Sequence, residues 1–156
     1  MSVAREQVYQ ALFALVQPLG VVNSTGIQLF QTVSREVVEV STIDPGLQPV
    51  LLMDEVTEKF GDDGEGLVPD IWTVVFHIGV TSTKGTPGNQ ILNPLIDAVV
   101  AALQPLPGIE KQTLGNLVEH VQVKGDAVKV HGNNSKKADA RQATYYLPIE
   151  IVLPQT

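Results

Sequence analysis

The sequence has no cysteine. That removes disulfides, thiolate-bound zinc and cysteine nucleophiles together, and it is compatible with a reducing compartment. No stretch approaches the ~18 consecutive apolar residues of a membrane span. The apolar run from Ala11 to Val16 is short, follows Glu6 and Gln7, and lacks a small-residue cleavage site, so neither a signal peptide nor a membrane anchor is expected. Basic charge is also scarce. Ten Lys and Arg against seventeen Asp and Glu leave a net charge of −7, which argues against a protein that grips nucleic acid through a dominant basic surface. Glycine-rich phosphate loops, nucleophile elbows, HExxH pairs and kinase-like sets are missing. The carboxylate pairs Asp54-Glu55 and Asp62-Asp63 are adjacent, so on an extended strand their members point to opposite faces. The chain is therefore expected not to be an enzyme, and no cofactor is expected.

What is present fits one packed soluble domain over residues 1–156: 44% of residues are hydrophobic and 17% charged. Thirteen glycines and ten prolines are dispersed between short elements. Val8, Ala11, Leu12, Leu15 and Val16 share one face of a predicted helix over 3–17, with Ser2 as N-cap and Pro18 and Gly20 as its stop. A strand is predicted from Ile27 to about Ser34, and the stretch from Val37 to Ile43 is ambiguous. Asp44-Pro45-Gly46 is a turn, and Pro49 to Met53 is a short buried strand. From Ile71 to Thr81, Trp72, Val74, Phe76, Ile78 and Val80 alternate with Thr73, Val75, His77 and Gly79, so the Trp72 and Phe76 face should bury against helices. Asn93-Pro94 reads as the N-cap and first residue of a second helix. Strands follow over Leu117–Val123 and Ala127–Val130 around a Lys124-Gly125-Asp126 turn, and a last one over Thr144–Leu153, where Pro148 suggests an edge or a bulge. The predicted fold class is α/β of the α+β kind: a mixed, largely antiparallel sheet packed against two main helices.

Charge is uneven along the chain. Asp54, Glu55, Asp62, Asp63 and Glu65 belong to an acidic run, and Lys124, Lys129, Lys136, Lys137 and Arg141 to a basic one. Two readings are open: solvated loops that maintain solubility, or complementary inter-subunit or docking surfaces. His77, His120 and His131, with Glu119 or Asp126, match no metal-ligand spacing, and Gly61 to Glu65 lacks the ligand pattern of a calcium loop.

Several phrases resemble the tail-terminator, or tail-completion, proteins of long-tailed bacteriophages. They are Val8-Tyr9-Gln10-Ala11-Leu12-Phe13-Ala14-Leu15, Phe30-Gln31-Thr32-Val33-Ser34-Arg35, Leu47-Gln48-Pro49-Val50-Leu51-Leu52, Leu92-Asn93-Pro94-Leu95-Ile96-Asp97-Ala98-Val99, Gln112-Thr113-Leu114-Gly115-Asn116-Leu117-Val118 and Leu147-Pro148-Ile149-Glu150-Ile151. Together they span most of the chain; the poorly aromatic stretch from Val37 to Ile43 departs from the family. The resemblance implies an α/β subunit of a homo-hexameric ring that caps the tail tube at its correct length and presents a docking face to the head-completion or neck connector. It also implies a virion location at the tail-neck junction after synthesis in the host cytoplasm, with genome DNA passing through the lumen without specific binding and no membrane partner. One alternative is another head-tail connector or head-closure ring protein. An alternative of a different class is a small metal-dependent hydrolase using His77, His120 and nearby carboxylates.

Overall fold

A computed structural model describes residues 4–61, 68–82, 86–133 and 141–154, with backbone only at 131–133 and 141. The elements run α1 (Arg5–Val16), β1 (Thr32–Ser34), β2 (Val50–Lys59), β3 (Ile71–Ser82), α2 (Gly88–Ala102), β4 (His120–Val123), β5 (Val128–Asn133) and β6 (Arg141–Val152). The strands form one sheet in the order β1-β2-β3-β6-β4, and β5 also pairs with β6. Among the described strands, β1 pairs with β2 in parallel and the other pairings are antiparallel. This is the mixed, largely antiparallel sheet with two helices that the sequence predicts.

The period-2 pattern of β3 places the core. Trp72, Val74, Phe76, Ile78 and Val80 are buried, and their partners on β6 are Ile151, Ile149, Leu147, Tyr145 and Ala143. This face carries both helices. Val8, Tyr9, Leu12 and Val16 of α1, and Leu92, Leu95, Ile96 and Val99 of α2, join it in one cluster. Each fully buried aliphatic side chain contributes on the order of 1.5–3 kcal/mol, so the shared face rather than local helix propensity holds α1 and α2.

Two helix details correct the sequence reading. Ser2 lies outside the described residues, and Ala4 occupies the N-cap position of α1 without a side-chain cap. In place of a cap, Tyr9 stacks on Trp72 with ring centroids 5.3 Å apart, Arg5 lies over the same indole and pairs with Glu58, and Glu6 in the first turn pairs with Arg35. α2 begins at Gly88 rather than after Asn93, which puts Pro94 inside the helix. The added turn buries Leu92 completely and sets Gly88 so close to β6 that a Cβ there would lie 2.8 Å from the Ala143 Cβ. That packing outweighs the hydrogen bond Pro94 is unable to donate.

The strands differ too. The segment from Ile27 to Gln31 is not strand, because Phe30 donates its N–H to Leu19 O and only Thr32 to Ser34 come into register with β2. β2 runs beyond Met53 to Lys59, with a register shift between Glu55 and Thr57. β4 and β5 do not form a hairpin around Lys124-Gly125-Asp126: β4 pairs with β6 over residues 149–152, and β5 over residues 141–146. Pro148 sits between these two ladders on a strand with neighbours on both sides, not at an edge. Its carbonyl accepts from Lys124 N–H on the β4 side, and since N–H and C=O of a strand residue face the same neighbour, its missing donor falls where one ladder ends and the other begins. Gly125 crosses this junction at φ 111°, where a Cβ would lie 3.3 Å from the Pro148 ring.

Among the described residues, no α-helix covers the second face of the sheet. Residues 36–48 lie across part of it as a strap that contains the short 3-10 turn Val40–Thr42 and the expected Asp44 turn, in which the Asp44 side chain accepts from Gly46 N–H at 2.9 Å. Val40 packs with Val50, Leu52 and Ile43 in a small second cluster. Gly79 makes this approach possible, because a Cβ there would lie 2.5 Å from a Val40 methyl. Gln48 clamps the strap by donating to Ile43 O at 2.9 Å and accepting from the Thr81 hydroxyl at 2.8 Å.

Candidate interaction surfaces

Asp54 and Glu55 point to opposite faces of β2, and each finds a partner in its own chain. Asp54 on the strap face lies 3.1 Å from His77 Nε2, whose ring meets Tyr146 edge-on at 4.8 Å. Glu55 on the helix face accepts from Arg35 at 2.7 Å, and the same guanidinium makes two bonds to Glu6, at 2.7 and 2.9 Å. Arg35 thus ties β2 to α1. The two carboxylates hold it cationic above the ordinary arginine value, and its hydrogen bonds keep the Glu6 carboxyl below the ordinary glutamate value. Burial, then the charges of Glu58 and Glu55, push the Tyr9 phenol up, so it stays neutral beside Trp72.

The basic residues are likewise engaged. Lys124 pairs with Glu150 at 3.5 Å, and Lys129 donates to Asn93 of α2 at 2.9 Å while lying over the Tyr145 ring. Arg141 opens β6 opposite Asn133 and Ser82. Asp62, Asp63, Glu65, Lys136 and Lys137 lie outside the described residues. Asp54, Glu55, Lys124 and Lys129 therefore each fasten elements of one subunit to each other.

The three histidines do not converge. His120 pairs with Val152, which faces Ile71, six residues and so ~20 Å along β3 from His77. The backbone of His131 is in register with Ala143 and Val80, three residues beyond His77. Glu119 pairs with Lys111 and Asp126 is exposed. Among the described residues, no three His, Cys, Asp or Glu side chains gather to hold a metal ion. His120 instead lines a cleft of about 430 Å³ beside Gln104, Gln112 and Gln122 on the outer side of β4.

Sequence periodicity gave no hint of the surface that stands out most. Val37, Val38, Val128 and Val130 are 40–49% exposed. Val128 and Val130 are in register with Tyr146 and Thr144 on the strap face of the sheet. Between strap and sheet runs a groove of about 390 Å³, walled by Val37, Val38 and Val40 on one side and by His77, Val130 and Tyr146 on the other. Monomeric proteins seldom leave clustered aliphatic side chains in water unless the patch meets a partner. In the sequence these valines sit in an ambiguous segment and an unremarkable strand, so only the fold brings them together. No protein-family model matches the chain, and no curated protein matches it.

Proposed function

We propose that this chain is a ring-forming structural protein of the tail-terminator kind. Six copies close into a ring that seats on the last ring of tail tube protein, occupies the growing end and so stops polymerisation; the opposite face receives the head-completion or neck connector. The supporting observation is the sheet face that carries the strap, where the exposed Val37, Val38 and Val130 line a groove and Val128 is exposed on the same strand as Val130. A subunit that completes its core on one face and keeps an aliphatic patch on the other is suited to association. The sequence phrases that resemble tail terminators supply what the association serves. The net charge of −7 suits a lumen that lets DNA pass, because a basic wall would retain it through phosphate contacts. In this reading the protein acts at the tail-neck junction of the virion and catalyses nothing.

Tube protein from the same phage, polymerising in vitro, provides the test. Purified chain added in amounts matched to tube ends should arrest elongation and appear as a cap at one end in electron micrographs. An unchanged length distribution contradicts the proposal. Binding to heads with no effect on tubes points to a head-closure ring instead.

A further inference from the structure

From Gln17 to Ser34 the chain carries no charged residue, although residues 21–27 are exposed throughout. An exposed loop without charge is unusual on a chain of net charge −7. Within it Val21, Val22 and Ile27 are 63%, 57% and 54% exposed. The loop is also tightly built. The Asn23 side-chain oxygen accepts from Thr25 N–H at 2.9 Å, the Thr25 hydroxyl at 2.6 Å and Ile27 N–H at 3.0 Å. Asn23 N–H donates to Ile27 O, and Gly26, at φ 80°, donates to Asn23 O. The three aliphatic side chains therefore project from a turn that is ordered without a partner, which lowers the entropy cost of docking it.

This turn and the groove lie at different places on the subunit. The turn follows Leu19 and Gly20, which sit against Phe30 and Val33 beside β1, whereas the groove runs between the strap and His77 of β3, β5 and β6, its β6 wall lying three strand spacings or ~14 Å across the sheet from β1. Two dissimilar, complementary patches are what a head-to-tail ring contact requires. Charge selects the occupant. Two copies of an acidic chain repel unless they touch where carboxylates are few, and among the described residues the groove lining has one, Glu39, while its His77 is already paired with Asp54. A basic partner would instead favour the acidic surfaces.

We propose that the Val21–Ile27 turn of one copy seats in the strap-to-β6 groove of the next. Val22 and Ile27 then lie against Val37, Val38 and Val130, while Ser41, Gln142 and Thr144 face the polar tip of the turn. The inference rests on the ring reading above and names its subunit contact.

Val22→Asp on the turn and Val130→Asp on the groove test it by sedimentation velocity over a range of concentrations, with thermal melts to confirm folding; Val38→Asp repeats the groove test without touching β5. Wild-type chain should associate beyond the monomer. Each variant should bind its own kind at least ~30-fold more weakly, the size of a contact worth about 2 kcal/mol. An equimolar mixture of Val22→Asp and Val130→Asp should give a one-to-one dimer that grows no further, because each such pair retains one intact turn facing one intact groove. Wild-type chain that stays monomeric, or variants that associate as tightly as wild type, overturn the contact. If Val22→Asp still forms rings and arrests tubes, the contact is wrong and the function stands. If wild-type rings built on this contact leave tube growth unchanged, the function is wrong and the contact stands.

Discussion

Gly79 shows how one missing side chain shapes a surface. Its place on β3 lets Val40 approach within a distance that no Cβ could share, and the strap that forms one groove wall depends on this approach. Val40 is β-branched and has little rotamer freedom with which to give way. Gly79→Ala should therefore cost ~1–3 kcal/mol, lowering the melting temperature by roughly 2–4 °C per kcal/mol, and should expose the strap backbone to faster hydrogen exchange. The Tyr9 and Trp72 stack on the other face should be unaffected in near-ultraviolet circular dichroism. At Arg35 the expected effect depends on pH. Because Arg35 holds the folded-state value of Glu6 below the ordinary 4.5, the native state binds fewer protons than the unfolded chain as the medium turns acid. The resulting stabilisation is present above the ordinary value and disappears as pH falls through the lowered one. Denaturant unfolding of Arg35→Ala, followed from neutral into acid pH, should show less stability at neutral pH and a flatter acid limb than wild type. Parallel curves would detach Glu6 from the pair.

Among the elements, α2 carries the clearest prediction. Pro94 is exposed and lies one turn after Gln90, whose carbonyl it leaves without the helical donor. Pro94→Ala should restore that bond and stabilise the protein by ~1–3 kcal/mol, seen as a higher melting temperature. A lower one would show that the proline ring packs better than the bond it removes. The same helix shows where local sequence signals stop. Asn93-Pro94 has the form of a helix start, yet burial of Leu92 and the close fit of Gly88 on Ala143 draw the start back to Gly88. β3 was legible because its alternation matches a half-buried strand, and so were α1 and the Asp44 turn. The β4 and β5 arrangement was not, since a Lys-Gly-Asp turn looks the same whether the flanking strands pair with each other or share a third. The charged candidates met the same limit. Arg35 reaches Glu55 across 20 positions and Lys129 reaches Asn93 across 36, separations at which spacing rules say nothing. The groove is hardest to foresee, because its walls come from the strap, β3, β5 and β6.

The whole molecule is asymmetric. Among the described residues, a single sheet carries both helices on one face and a strap on the other, while Arg5, Glu6, Arg35, Asp54, Glu55, Glu58 and Lys129 hold the subunit together. What remains for partners is aliphatic: an ordered, charge-free turn beside β1 and a groove over β6 and β5. In the proposed assembly, such a pair of patches repeated head to tail closes a ring when the rotation between them divides the full circle, and that ring on a tube end would leave no site for the next tube subunit. The most direct measurement is the length of tail tubes in electron micrographs of lysates from phage in which this gene carries a stop codon. Tubes of unregulated, extended length and heads without attached tails are the expected result. Normal-length tails joined to filled heads would contradict it.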